Sequence, residues 1–374
     1  MSGSNQKAVI AMSGGVDSSV AAWLVRERGC DCIGITLKLF DNDDVNGKEP
    51  CFCPSGPPAA HNGCCSLADV NDAKLVAHRL GIPHYVLNFA EDFRDQVIRR
   101  FIETYEAGAT PNPCIDCNRY IKFDSLLRRA EQIGFGVVVT GHYARVEKDA
   151  GSGRFLLRKG VDGKKDQSYV LYATTQEQLS FCCFPLGDLT KQEVRDIASA
   201  QGFINAAKHD SQDICFVPGG DYGAFIERYT GKRYPEGDII DGNGVVLGRH
   251  KGFIRYTLGQ RRGLGVAAGT PLYVTGKSAA DNTVTLGPDS SLYTKFLTAD
   301  RINLIACAEL EKPLRVRVKT RYLQAEQDGV VEQTGPGSIR VDFDKPQRAV
   351  TPGQAVVLYD GDLVIGGGTI RETG

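Results

Sequence analysis

Along the first 140 residues, short apolar runs alternate with stretches in which apolar side chains recur every three or four positions. Ala8-Val9-Ile10-Ala11, Cys32 to Leu37, Tyr85 to Phe89 and Val137 to Thr140 read as buried strands. Val20 to Glu27, Glu91 to Ala107 and Ile121 to Ile133 carry an apolar face at helical spacing. A further helix is predicted after Ser66, a good N-cap with Asp69 where a capping-box acid stands. Its apolar positions are Val70, Ala73, Ala77 and Leu80, and Gly81 ends it. Strands alternating with helices predict an α/β fold with a doubly wound parallel sheet. Ligands of such sheets sit beyond the carboxyl ends of the strands, where Asp17, Leu37 and Gly141-His142 are placed to share one crevice.

After Asp210 the pattern changes to short strands punctuated by glycine turns, such as Asp241-Gly242-Asn243-Gly244. From about Tyr293, strands are predicted near Leu314 to Tyr322, Ser338 to Phe343, Ala355 to Tyr359 and Leu363 to Thr369, which suggests a small antiparallel barrel. The expected division is a catalytic α/β domain over 1–215, a small β-rich domain over 216–292 and a C-terminal β-barrel over 293–374.

Composition narrows the class. Hydrophobic residues at 42% and charged residues at 24% are ordinary for a globular protein. No run reaches the apolar length of a membrane span. The polar start, Met1 to Lys7, has no signal or transit pattern, so the cytoplasm is the simplest expectation. A net charge of −1 excludes a uniformly basic nucleic-acid binder, so RNA contact would need local patches. The 12 cysteines are not spaced as in a stapled secreted domain and point to metal or thiol chemistry.

The strand Ala8 to Ala11 runs into Met12-Ser13-Gly14-Gly15-Val16-Asp17-Ser18-Ser19 and then a helix. Glycines let backbone amides approach a ligand. The first amides of a helix lack internal partners and favour negative charge, and serine hydroxyls add donors. This is a phosphate cradle. It lacks the Gly-Lys-Ser/Thr of a Walker loop and the G-x-G-x-x-G of a dinucleotide fingerprint. Ser-Gly-Gly-x-Asp-Ser directly after the first strand resembles the pyrophosphate loop of the PP-loop ATP pyrophosphatases. Asp17 there could bind a metal or cap the helix.

Thiols form the second theme. In Thr110-Pro111-Asn112-Pro113-Cys114-Ile115-Asp116-Cys117-Asn118-Arg119, two prolines stiffen a loop leading into a helix. Cys117 then lies near a helix N-terminus beside Arg119 and Lys122, a setting that favours the thiolate. Cys215 follows the polar Asp210-Ser211-Gln212-Asp213 loop. Cys182-Cys183, Cys30, Cys32 and Cys307 read as inert; Cys51, Cys53, His61, Cys64 and Cys65 read first as incidental members of a long loop, with a zinc site as the alternative.

These motifs occur together with Thr140-Gly141-His142-Tyr143, Lys165-Asp166-Gln167-Ser168-Tyr169, Asp210-Ser211-x-x-Ile214-Cys215-Phe216, Thr257 to Gly265, Lys319-Thr320-Arg321-Tyr322 and Thr351-Pro352-Gly353-Gln354. The ordered set, from about Ala8 to about Gly368, resembles the tRNA-specific 2-thiouridylase family. The resemblance implies that ATP is contacted by Ala11, Met12, Ser13, Gly14, Gly15, Val16, Asp17, Ser18, Leu37 and Gly141. It makes Cys117 the nucleophile and Cys215 the persulfide carrier. Asn112, Pro113 and Cys114 would face the target base, and His142, Lys165, Asp166, Gln167, Arg321, Tyr322 and Gln354 would contact tRNA. The implied reaction replaces O2 of the wobble uridine of tRNAs for Lys, Glu and Gln by sulfur, using ATP and Mg2+ and a cysteine desulfurase or sulfur-relay protein as donor.

Cys114 departs from the family, many members of which have Asp there. Three thiols, Cys114, Cys117 and Cys215, are also what an open-sited four-iron four-sulfur cluster would need. On the predicted strand near Leu314, alternation puts Arg315, Arg317, Lys319 and Arg321 on one face, spaced for phosphates. Rival readings are a 4-thiouridine or 2-thiocytidine synthase, an amidating synthetase, or a non-catalytic RNA- or metal-binding protein on the same fold.

Overall fold

The structure is a computed structural model that describes residues 7–40, 66–209, 213–267 and 269–374. The cysteine loop of Cys51 to Cys65 and the Asp210-Ser211-Gln212 segment lie outside the described residues. The chain divides into two compact units. The first comprises 1–98, 113–220 and 362–364, and the second 99–112, 221–361 and 365–374.

The first unit contains the expected parallel sheet. Its strands are β1 (Lys7–Ala11), β2 (Asp31–Lys38), β3 (His84–Asn88), β4 (Val137–Val139) and β7 (Cys182–Cys183), in the order β3-β2-β1-β4-β7. Central β1 pairs in parallel with β2 (Val9 with Ile33) and β4 (Val9 with Val138). Its residues from Ala8 onward are buried, which is why they form an unbroken apolar run. Against the sheet lie Val16, Val20, Ala21 and Val25 of α1 (Val16–Glu27), Ala73, Val76, Ala77 and Leu80 of the Leu67–Leu80 helix, and Val194 and Ala198 of the Lys191–Ala200 helix.

The Leu67–Leu80 helix has the expected ends: Ser66 Oγ accepts from the Asp69 amide at 3.1 Å, and Gly81 closes it at φ 67°. Elsewhere the boundaries differ. α1 starts at Val16, four residues before the expected start, because the polar Asp17, Ser18 and Ser19 interrupt the apolar spacing. The expected Glu91 to Ala107 helix is α over Ala90–Phe93, π over Arg94–Ile98 and α over Arg99–Glu106. The helix expected from Ile121 begins at Pro113: α over Pro113–Asp116, π over Cys117–Ser125, then α over Leu126–Gln132. An antiparallel hairpin of β5 (Ala144–Lys148) and β6 (Phe155–Lys159), and short helices over Ser168–Leu171 and Gln176–Phe181, complete the first unit.

In the second unit, β8 (Gly237–Ile240), β9 (Val246–His250), β10 (Tyr273–Ser278) and β11 (Thr283–Gly287) form a sheet ordered β10-β11-β8-β9. The expected barrel follows, built from β12 (Tyr293–Leu304), β13 (Leu314–Lys319), β14 (Gln327–Gly335), β15 (Ser338–Arg348), β16 (Ala355–Asp360) and β17 (Leu363–Thr373). Its order is β12-β15-β14-β13-β16-β17, closed by pairing of β12 with β17. β13 alternates as expected, with Val316 and Val318 buried and Arg315 and Arg317 exposed, but it stops at Lys319 rather than Tyr322. Among the described residues no helix is long and apolar enough to cross a membrane.

Candidate active site

The turn between β1 and α1 is held by its own polar groups. The Ser13 amide donates to Ser18 Oγ at 3.2 Å, and the hydroxyls of Ser18 and Ser19 both donate to the Gly15 carbonyl at 3.0 Å. Ser18 therefore spends its proton inside the loop. Gly14 has φ +74°, and a Cβ there would stand 2.2 Å from the Asp69 carbonyl oxygen, so only glycine lets the turn lie against the Leu67–Leu80 helix. A Cβ on Gly15, the N-cap of α1, would approach Ser13 Oγ at 3.4 Å and, its chain neighbours apart, no other heavy atom of the described residues within 4 Å. The open side of Gly15 and the first amides of α1, which no side chain caps and which have no partner within the helix, fit a phosphate group.

Neighbouring strands complete the crevice floor. The Met12 amide donates to Ile35, and Thr36 Oγ1 donates to the Met12 carbonyl at 2.7 Å, which pins the end of β1 to β2 just before Leu37. Ala11, Met12 and Val16 have buried side chains and offer backbone alone. A Cβ on Gly141 would stand 2.7 Å from the Asp17 carbonyl carbon, so the β4 loop lies directly on the first turn of α1. The structure thus brings Ala11 to Ser18 and Gly141 together.

Asp17 does not cap α1, whose N-cap is Gly15. Its carboxylate accepts from Lys191 Nζ at 2.7 and 2.9 Å and from the Tyr143 hydroxyl at 2.7 Å, and no side chain caps α1. Lys191 is only 9% exposed. Its backbone amide donates to Asp162, and this bond helps hold that carboxyl below its ordinary range. Beneath the loop, Lys208 Nζ contacts the Gly14 carbonyl at 3.2 Å and Asp69 and Asp72 at 2.6 Å each. Burial opposes its charge, but the two aspartates outweigh burial and raise its pKa. Asn205 Nδ2 donates to the same Gly14 carbonyl at 3.0 Å and to Ser19 Oγ at 2.9 Å. Lys191, Asn205 and Lys208 lie in stretches without a recognisable motif and were not foreseen. Tyr143 stood inside a quoted motif without a role.

The Cys-containing loop runs into the helix starting at Pro113. Cys114 is exposed, Cys117 opens the π-helical segment, and Cys117 and Cys215 are half-buried; none is in a disulfide. Asn118, buried at 3% exposure, donates to the Val170 carbonyl and anchors that segment. Among the described residues no three His, Cys, Asp or Glu side chains lie close enough to hold a metal ion, so the three thiols are not assembled as cluster ligands. Burial pushes Cys183 up to about 11 and raises Cys32, in keeping with inert thiols.

Two residues expected to touch tRNA, His142 and Asp166, are buried. His142 is 6% exposed, packed against Phe123 and Phe184 and bonded to Thr140 Oγ1 at 2.6 Å. Burial, and then the charge of Lys122, drives its pKa well down, so the ring is neutral. Buried Asp166 accepts from the amides of Gly160 and Ser168 and from the Ser168 hydroxyl. Gln167 Oε1 accepts from the Tyr143 amide at 3.0 Å, while Lys165 is half-buried.

In the second unit, Gln354 Nε2 donates to the carbonyls of Thr110 at 3.1 Å and Pro111 at 3.0 Å, bracing the loop that ends at Asn112. Arg321 is turned onto the Ala349 carbonyl and does not extend the exposed row of β13, and Tyr322 is half-buried. Arg315 and Arg317 are exposed and pair with Asp344 and Asp328.

Three family models match the chain: the tRNA methyl transferase HUP domain over 6–219, the tRNA methyl transferase PRC-barrel domain over 223–288 and the aminomethyltransferase beta-barrel domain over 294–370. A tRNA-specific 2-thiouridylase MnmA of Clostridioides difficile (strain 630) is 48% identical over 369 residues, 99% of each chain. Another of that name from Heliobacterium modesticaldum (strain ATCC 51547 / Ice1) is 50% identical over 364 residues, 97% of this chain and 91% of the relative. Among solved structures, the U34-tRNA thiolase NcsA from Methanococcus maripaludis with its [4Fe-4S] cluster is 16% identical at a TM-score of 0.32, covering 60% of this chain and 70% of that one. A likeness at that level carries no argument.

Proposed function

The chain belongs to the tRNA-specific 2-thiouridylase family, and from that membership we propose that it is an ATP-dependent sulfurtransferase making 2-thiouridine in tRNA. The observation that carries the proposal is the Ser13 to Ser18 cradle at the carboxyl end of β1, with Gly141 closed onto it.

The chemistry follows from what O2 of uridine is. It leaves poorly, so it must first be made into a phosphate ester. Attack of O2 on the α-phosphate of ATP forms adenylated uridine and expels pyrophosphate, which the amides of the cradle receive. Magnesium, carried with the phosphates, would neutralise the charge developing there. Asp17 is the carboxylate beside the cradle that would hold such an ion, and it is already shared between Lys191 and Tyr143, so most of the ion's ligands would have to come from the phosphates.

In the thiol half-reaction, Cys215 carries sulfane sulfur as a persulfide. The Cys117 thiolate attacks Cys215 Sγ, a Cys117–Cys215 disulfide forms, and hydrosulfide leaves. Hydrosulfide attacks C2 of the adenylated uridine and AMP departs. A two-electron reductant reopens the disulfide, and a cysteine desulfurase or relay protein reloads Cys215. The alternative assembly is a four-iron four-sulfur cluster on Cys114, Cys117 and Cys215. No donor set among the described residues fits a metal, so no step is routed through it.

We further propose that Asn112, Pro113 and Cys114 face the base, that the tRNAs are those for Lys, Glu and Gln, and that the domains are 1–215, 216–292 and 293–374. The deciding experiment is nucleoside analysis of tRNA from a strain lacking this chain. Loss of wobble 2-thiouridine is expected. Unchanged 2-thiouridine, or loss of 4-thiouridine or 2-thiocytidine instead, refutes the assignment.

A further inference from the structure

We infer that Asn205 and Lys208 are positioning residues for the anion cradle, which fix the Gly14–Gly15 peptide so that the Gly15 N–H is presented to pyrophosphate. The inference rests on the reading of this turn as the pyrophosphate site. A peptide bond is planar and trans, so its C=O and N–H point in opposite directions. Most peptides are kept from turning over by the flanking β-carbons. This one lies between two glycines and has none, and Gly14 sits at φ +74°, where glycine moves readily between conformations. Left to itself, the unit could direct either its carbonyl or its amide at an incoming anion. A carbonyl there would repel phosphate.

The structure supplies the device that decides between them. The Gly14 carbonyl accepts from Asn205 Nδ2 at 3.0 Å and from Lys208 Nζ at 3.2 Å. With its oxygen held by two donors, the Gly15 N–H must point away from them. Asn205 is 3% exposed, and its Nδ2 also donates to Ser19 Oγ in α1, so it cannot follow the carbonyl outward. The assignment of Nδ2 rather than Oδ1 is fixed by chemistry, since the Gly14 oxygen can only accept. Lys208 is itself held in place, at 2.6 Å from both Asp69 and Asp72. Its charge is thus matched by two carboxylates, and it acts as an anchor of the carbonyl rather than as a loose cation available to the phosphate. The backbone of Asp69 also occupies the space beside Gly14, so one helix start fixes both the glycine and the lysine that orients it.

The test is inorganic pyrophosphate binding to the full chain, by calorimetry, with hydrogen exchange read at Ser13 to Val16 and tRNA affinity as a control. Wild type is expected to bind pyrophosphate and protect the Gly15 amide. Asn205→Ala and Lys208→Met should each weaken pyrophosphate about tenfold, roughly the worth of one hydrogen bond, and abolish the protection at Gly15. Exchange later in α1 and tRNA affinity should hold. Lys208→Arg should restore binding, because it keeps a donor for the carbonyl. Should Lys208→Met fail to fold with two carboxylates left unpaired, Lys208→Met combined with Asp69→Asn and Asp72→Asn removes that charge and carries the same expectation. Folded Asn205→Ala protein with wild-type pyrophosphate affinity and Gly15 protection overturns the inference, even if Lys208→Met binds weakly, because Lys208 would then be a direct ligand. Wild-type protein that binds no pyrophosphate overturns the cradle reading itself, and the inference with it.

Discussion

Lys277 offers a perturbation whose size can be worked from the structure. It lies on β10 opposite Val284 of β11. Its stem is partly exposed, but Nζ is buried without a hydrogen-bond partner and stands 5.8 Å from the centroid of the Tyr105 ring. The groups facing it offer no negative charge: Tyr105 is kept neutral by burial, which raises its pKa, and stacks on Tyr222 at 5.9 Å. Burial draws the lysine down from 10.5 to about 8. A lysine whose folded pKa lies below its unfolded value costs stability in full below the folded pKa. The cost fades as pH rises from about 8 toward 10.5, because the chain then folds with a neutral amine.

The difference corresponds to about 3 kcal/mol, and the aromatic face returns about 0.5–1 kcal/mol of it. Lys277→Met keeps the stem and removes the charge, so it should stabilise the β10–β11 pair by about 2–3 kcal/mol at pH 7. The single Trp23 belongs to the first unit, so the assay is hydrogen exchange of peptides covering β10 and β11. The variant should be more protected at pH 7, and the gap should shrink to about 1 kcal/mol at pH 9.5. Equal protection at pH 7, or a gap that does not change with pH, would show that the ammonium is solvated and refute the reasoning.

Three further outcomes are expected. Ser18→Ala should weaken pyrophosphate binding a few-fold while leaving tRNA affinity alone, since Ser18 ties Ser13 to Gly15; unchanged ATP-dependent turnover would make the loop a mere turn. Arg317→Ala with Lys319→Ala should weaken tRNA binding for all sequences and flatten the salt slope by about 2, because the exposed Arg317–Asp328 pair at 3.5 Å is easily given up to a phosphate; an unchanged slope would place the RNA elsewhere. Anaerobically purified protein, analysed for iron and sulfide and compared with Cys114→Ser, should be iron-free and fully active in both forms on the persulfide route. Iron lost together with activity in Cys114→Ser would establish the cluster instead.

The parallel sheet was legible because β1 and β2 are buried on both faces and so leave unbroken apolar runs. The barrel was legible through alternation, as in β13. The Ser66 cap was legible too, but two helix starts were not: α1 begins with the polar Asp17, Ser18 and Ser19 among its first four residues, and the thiol helix begins at a proline four residues before Cys117. The π segments over Arg94–Ile98 and Cys117–Ser125 were not legible either, because an apolar face at helical spacing does not distinguish an α turn from the slightly wider π turn. In the site, the glycine turn was readable as local chemistry, whereas Lys191, Asn205 and Lys208 reach it over more than 170 residues of chain, which no local pattern records.

Polar residues in the recognised motifs differ in how far they are already committed to internal hydrogen bonds. His142, Asp166 and Gln354 are polar residues in short conspicuous strings, and each is tied to other residues of its own unit: His142 to Thr140, Asp166 to Gly160 and Ser168, Gln354 to Thr110 and Pro111. Buried groups such as His142 and Asp166 have exchanged water for fixed internal hydrogen bonds. They can hold a loop rigid, but breaking those bonds to greet a nucleotide would cost more than a solvated contact returns. Sulfur delivery needs a loop held to within a fraction of an ångström, so this is where buried polar groups are useful. Phosphate contact asks for the reverse, a cation that is exposed and weakly paired. Arg317 on β13 meets that description and His142 does not, so substitution of the first should change affinity for every tRNA, and substitution of the second should change turnover through the Cys117 helix, whose Phe123 packs on it.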